Sequence, residues 1–230
     1  MMMRRIIRSV ATRGRLIAMS LVGLIGILIG VAINRSDPGS DFVPAEFLDG
    51  FGLIIFVPLV ALVISTATIG DMLEERNLVY YWLRPIGRWK ITLAAWLGAI
   101  VVLLPLVLIP MGVLGAIIGT GDDVAGILVG SLIGIVAYSA VFTMLGAFTQ
   151  RALVVGLVYI LLWEGVIAGF SRTAGWFALR TYTRSALANV ADVALLDQPP
   201  QTTSIVLVTI AVALAAGLIT TWRLNTMDVD

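Results

Sequence analysis

The chain of 230 residues has no cysteine and no histidine. The first absence excludes disulfides and thiol nucleophiles, and the two together remove the usual ligands of structural zinc, haem and most transition metals. Without histidine there is no Ser–His relay and no imidazole general base. Charge is scarce too. Asp, Glu, Lys and Arg make up 13% of the residues, against roughly 25% in a soluble domain. No G-x-x-x-x-G-K-[ST] run occurs, so the chain has no Walker-type phosphate cradle. Nor is there an acidic cluster with Ca²⁺-loop spacing, since Asp122 and Asp123 stand alone in a short turn.

What is present is apolar. Hydrophobic residues are 60% of the chain, against about 45–50% in an ordinary globular domain. A bilayer core needs about 20 apolar residues in a helix rising ~1.5 Å per residue. Six stretches qualify: Leu16–Ile33, Phe51–Ile69, Ile91–Ile118, Val124–Phe148, Leu153–Phe170 and Ser204–Trp222. The third contains Pro105 and Pro110, which predict a kinked or broken helix. The fold expected is a single all-α polytopic membrane domain over residues 1–230, with six transmembrane helices.

The basic residues orient it. Eleven of the fifteen fall on one side: Arg4, Arg5, Arg8, Arg13 and Arg15 before span one, Arg76, Arg84, Arg88 and Lys90 between spans two and three, Arg151 between four and five, and Arg223 after six. The positive-inside rule makes that side cytoplasmic, with both termini inside. Asp37, Asp41, Glu46, Asp49, Asp122, Asp123, Asp192 and Asp197 fall on the opposite side. Trp89, Trp176 and Trp222 lie near span ends, where indole rings gather. A cleaved signal peptide is the competing reading of the N-terminus, but the apolar run is long, no A-x-A-like site follows it, and five more spans come after. Residues 1–15 place Met3, Ile6, Ile7 and Val10 on one helical face and Arg4, Arg5, Arg8 and Arg15 on another, as in an amphipathic interfacial helix. A plain topogenic charge cluster accounts for the arginines equally well.

Glycines recur at small-xxx-small spacing: Gly26 and Gly30, Gly126 with Gly130 and Gly134, Gly165 and Gly169. Such stripes let helix backbones approach in lipid. Packing within one subunit is one reading, and a dimer face on span one or five is the other.

Residues 71–84 read as a short cytoplasmic helix. Asp71, Glu74 and Glu75 open it, where carboxylates meet the positive end of the helix dipole. Leu78, Tyr81 and Trp82 give an apolar face, and Pro85 stops it. The helix could rest on lipid headgroups, but an anionic leaflet repels three carboxylates, which favours a protein partner. The acidic pair, the short helix, the run Leu83-Arg84-Pro85-Ile86-Gly87-Arg88 and the return into a span resemble the cytoplasmic loop of type-two ABC exporter permeases. The matching positions are Glu74, Glu75, Leu78, Leu83, Arg84, Pro85, Ile86 and Arg88, while Asn77-Leu78 and Ala94-Ala95 depart from the family's common pattern.

The resemblance implies a coupling helix that docks on a separate ATP-binding-cassette subunit through Asp71, Glu74, Glu75, Arg76, Leu78, Tyr81, Arg84, Pro85 and Arg88. It implies ATP and Mg²⁺ on that subunit and no cofactor on this chain. It also implies a second permease copy or a homologous chain, and a home in a prokaryotic inner membrane. Contacts with membrane lipid follow, and no nucleic-acid partner is expected. The chain itself is then not an enzyme. The substrate expected is a drug, peptide, lipid or other amphiphile.

Trp163-Glu164-Gly165, followed by Leu179-Arg180 and Tyr182, is similar to a pattern in small two-gene export permeases. The resemblance marks Glu164, Trp163, Arg180 and Tyr182 as a translocation-path or intramembrane polar site. Glu164 stands out without it. It lies thirteen residues past Arg151, roughly 20 Å along a helix, where a charge costs about 2–3 kcal/mol or more. A polar contact in the path, a proton-binding group, or an ion pair with Arg172, Arg180 or Arg184 would each explain it. An autonomous carrier or channel working through Glu164 is the alternative function. In residues 171–203, Trp176, Phe177, Leu179, Leu187, Val190 and Val193 should float at the outer interface while Arg180, Arg184, Asp192 and Asp197 stay wet. The family resemblance implies short re-entrant or interfacial helices there.

Overall fold

A computed structural model of the chain describes residues 12–36, 42–74, 87–170 and 172–226. All regular structure among them is helical. In chain order the elements are α1 (Arg13–Arg35), α2 (Pro44–Phe47), α3 (Val57–Glu74), α4 (Arg88–Ile118), α5 (Gly121–Phe148), α6 (Ala152–Val158), α7 (Ala168–Phe170), α8 (Arg172–Gly175), α9 (Leu179–Ala191) and α10 (Thr202–Thr226). Two wide-turn π-helical segments, Leu48–Phe56 and Tyr159–Ile167, join α2 to α3 and α6 to α7. Five stretches are long and apolar enough to cross a membrane: Arg13–Arg35, Pro44–Gly70, Arg88–Ile118, Gly121–Phe148 and Thr202–Thr226. Ala152–Ile167 is a shorter apolar helix. The architecture is that of an all-helical polytopic membrane protein.

Small residues put α5 at the centre. Its buried face carries Gly126, Gly130, Ser131, Gly134, Ala137, Ser139, Ala140, Gly146 and Ala147, and α3, α4, α9 and α10 all pack on it. Contact is close enough to exclude side chains. A Cβ on Gly146 would stand 2.7 Å from the Thr66 carbonyl oxygen. In lipid the hydrophobic effect does not drive helices together, so close backbone approach is the means of association.

The outer helices bury one stripe each. On α1 that stripe is Met19, Gly23, Gly26 and Gly30. A Cβ on Gly26 would meet the Phe51 ring and one on Gly30 would meet Leu114. The span-one glycines are thus filled from within the chain, which removes them as a dimer face. Leu21, Leu24, Leu28 and Leu218 point outward, as lipid-facing side chains do.

Three details differ from the sequence expectations. Of the kinked or broken helix expected at Pro105 and Pro110, the broken alternative does not occur, since one helix runs from Arg88 to Ile118. Proline is tolerated in membrane helices because neighbouring helices re-satisfy the backbone, and here the Pro110 ring seats against Gly23 of α1. The second apolar helix begins at Pro44, ahead of Phe51, because proline at the first helical position is preorganised and forfeits no hydrogen bond. Asp71 and Glu74 lie in the last turn of α3 and do not open a separate helix. Gly70 alone, at about 1 kcal/mol, does not break a run that continues with Met72, Leu73 and Glu74. The remainder of the expected coupling helix, and residues 1–11 of the expected interfacial helix, lie outside the described residues.

Charge separates along the bundle. Arg15 shares one end with Gly70, Thr149 and Gln150. Arg88 donates through Nη1 to the Leu224 carbonyl at that end, where Lys90, Arg151 and Arg223 also fall by helix direction. At the opposite end Asp123 closes a capping box. It accepts from the Thr120 amide and hydroxyl at 2.8 Å each, while its own amide faces Thr120 Oγ1 at 3.5 Å.

Candidate functional site

Polar groups converge where α9 enters the bundle. This helix lies along the glycine stripe of α5. A Cβ on Gly130 would stand 2.8 Å from the Thr183 carbonyl oxygen, and one on Gly126 would stand 2.7 Å from Leu187 Cδ1. Leu179 and Leu187 are therefore buried and do not float at the interface. The α5 glycines form a seat that lets the backbone of α9 sink to a depth where its apolar side chains leave water. Gly126 and Gly134 are eight residues apart, so the seat covers about 12 Å of α5.

The N-terminus of α9 needs a cap, because Ala178 at the capping position supplies no side-chain hydrogen bond. Glu164 takes that role from the π-helical segment. The Leu179 amide donates to its Oε1 at 3.1 Å, and the Arg180 amide also faces the carboxylate. Tyr138 of α5 donates its hydroxyl to Oε2 at 2.5 Å, and Tyr159 donates to Oε1 at 3.1 Å. The carboxylate is 3% exposed. Its demand is met by two hydroxyls and a helix N-terminus, where the dipole favours negative charge. Of the partners weighed for Glu164, Arg184 pairs with another acid: its Nε donates to Asp49 Oδ1 at 2.9 Å and Oδ2 at 2.8 Å, with Nη2 2.8 Å from Oδ2, while the side chain of Arg172 lies outside the described residues. Asp49, expected on the outer face, is 4% exposed.

Asp49 and Glu164 each sit in a π-helical segment. A wide turn bonds residue i to i+5, which is the spacing of Tyr159 and Glu164. In an α-helix two residues five apart do not share a face. The wide turn therefore brings hydroxyl and carboxylate together. The structure thus joins Glu164 to the helix bearing Arg180 and Tyr182, but Tyr182 does not reach it. Its hydroxyl donates to the Trp176 carbonyl at 2.8 Å, and burial raises the phenol above its ordinary range, keeping it a neutral donor. Trp163 is half-exposed beside Glu164.

Tyr138, Tyr159, Asp49 and the Arg184 pairing were not singled out from the sequence. The available signal was the presence of phenol-bearing aromatics and a carboxylate inside apolar runs. Of the expected ATPase-facing residues, Arg88 is described and bonded to α10. Asp71 and Glu74 end α3, and Glu75, Arg76, Leu78, Tyr81, Arg84 and Pro85 lie outside the described residues. No protein-family model matches the chain, and no curated protein sequence matches it.

Proposed function

We propose that the chain is the membrane-spanning subunit of an ATP-driven exporter of the type-two ABC class, with the stretch Leu153–Phe170 as the fifth of six membrane helices. The observation that carries this reading is α9, a short helix between the last two apolar helices. It runs back along the bundle on the Gly126–Gly134 seat with its N-terminus held by Glu164. That is the place where permeases of this class have re-entrant helices at the exit of the path.

The basic end is then cytoplasmic, as the positive-inside rule expects. Residues 75–87 connect α3 to α4 at that end, where an ATPase subunit would dock and hydrolyse Mg²⁺-ATP. A second copy or a homologous chain completes the path between two halves, and the substrate is an amphiphile such as a drug, a peptide or a lipid. The membrane is a prokaryotic inner membrane.

The test is co-purification with a co-expressed ATP-binding-cassette subunit from the same genome. The double substitution Glu74→Lys with Glu75→Lys should dissociate the complex or uncouple its ATPase rate. An intact complex with an unchanged rate would refute the reading. The alternative, an autonomous carrier working through Glu164, gains no support from a carboxylate enclosed by two tyrosines and a helix N-terminus.

A further inference from the structure

Between α4 and α10, with α5 as its floor, runs a groove of about 230 Å³. Trp89, Leu93 and Trp96 line one wall, Leu214 and Gly217 the other, and Thr143 the floor. Trp96 is fixed in place by donating Nε1 to Ser139 Oγ at 2.9 Å. The volume lies below the roughly 300–1,000 Å³ of drug-sized pockets, and the walls are apolar along the bundle axis. Both properties fit a single hydrocarbon chain.

The groove opens at the basic end, on the first turn of α4. Helix N-termini carry partial positive charge and favour acids, yet this turn holds Arg88 and Lys90 and no acid. The Lys90 ammonium lies 5.6 Å from the Trp89 ring centroid, beside the groove wall. Arg88 reaches across to the Leu224 carbonyl and so ties α4 to α10 at that end. A cation and a helix dipole thus stand at one end of an apolar channel, beside an exposed indole. An anion attached to an acyl chain satisfies both parts at once, and basic sites between membrane helices bind anionic headgroups in this way.

We propose that this groove binds an anionic phospholipid, with one acyl chain between α4 and α10 and the phosphate at Lys90. The site is independent of the transport reading and requires only that the bundle sit in a membrane.

The groove carries its own reporters, Trp89 and Trp96. The full chain, with Trp82, Trp163, Trp176 and Trp222 replaced by Phe, is reconstituted in phosphatidylcholine vesicles. Brominated phosphatidylglycerol or brominated phosphatidylcholine is titrated in, and tryptophan quenching is read. The anionic lipid should quench at a mole fraction about five-fold lower, the preference expected of one surface cation. Lys90→Gln should abolish the preference, and Lys90→Arg should retain it. Gly217→Leu should weaken quenching by both lipids, since nothing lies within 4 Å of a Cβ built there and the new side chain fills the groove without displacing a helix. Equal quenching by the two headgroups would overturn the proposal. So would a preference that survives Lys90→Gln undiminished, or quenching unaffected by Gly217→Leu.

Discussion

Replacing Glu164 tests whether it is a structural cap for α9. Glu164→Ala removes the acceptor for the Tyr138 hydroxyl, the Tyr159 hydroxyl and the Leu179 amide. Tyr138 is fully buried and Leu179 nearly so, so neither donor reaches water. A buried donor left unpaired costs about 1–3 kcal/mol. Two such donors and a half-buried third total roughly 3–6 kcal/mol, a large share of the roughly 5–15 kcal/mol that holds a protein folded.

Glu164→Gln separates shape from charge. Its carbonyl oxygen still accepts from Leu179, and the Tyr138 hydroxyl turns to accept from the new amide group. What is lost is the charge assistance, about 1–2 kcal/mol. Equilibrium unfolding in mixed micelles, followed by tryptophan fluorescence, should rank wild type above Gln and Gln well above Ala. Pairing Glu164→Gln with Tyr138→Phe should give a coupling energy of about 0.5–3 kcal/mol. If Ala unfolds with wild type, or if Gln and Ala coincide, the carboxylate is not the cap of α9.

Three further outcomes follow from the packing. Gly130→Ala puts a Cβ 2.8 Å from the Thr183 backbone oxygen, so α9 must move. A loss of about 1–3 kcal/mol is expected, whereas Gly217→Ala, built into open space inside α10, should not lower the unfolding midpoint and gains up to about 1 kcal/mol of helix propensity. Asp49→Ala strands Arg184 in a half-buried site and should cost about 3–5 kcal/mol. The exchange Asp49→Arg with Arg184→Asp should recover part of that in the same unfolding assay. Asp123→Ala removes both acceptor contacts to Thr120 and should cost about 1 kcal/mol, visible as faster amide exchange in the first turn of α5.

Long apolar runs are what a sequence displays best: five of the six expected stretches coincide with helices long and apolar enough to cross a membrane, and the remaining one, Leu153–Phe170, contains a shorter apolar helix. Composition also marked Glu164, since one carboxylate in an apolar helix is conspicuous on cost alone. Its partners were hidden for a geometric reason. Tyr159 lies five residues away, which in an α-helix is another face, and only the wide turn brings the two together. Leu179 and Leu187 were misplaced for a related reason. The segment is amphipathic, and amphipathicity says that one face avoids water without saying whether lipid or protein covers it. The answer lay in a different element, the Gly126–Gly130–Gly134 stripe, and no local pattern connects the two.

The two acids together constrain how the protein moves. α9 is tied through Glu164 to the helix containing Tyr159 and through Arg184 to the segment containing Asp49, and it is seated on α5 along most of its length. Separating any one of these elements from α9 would expose a desolvated carboxylate or strip a helix N-terminus. Each such step carries a penalty of about 1–3 kcal/mol per unpaired group. By contrast, α1 and α10 bury single narrow stripes. Bundle and α9 should therefore move as one body. Any rearrangement then falls at the lipid-facing sides of α1 and α10, where mostly apolar contacts have to be exchanged.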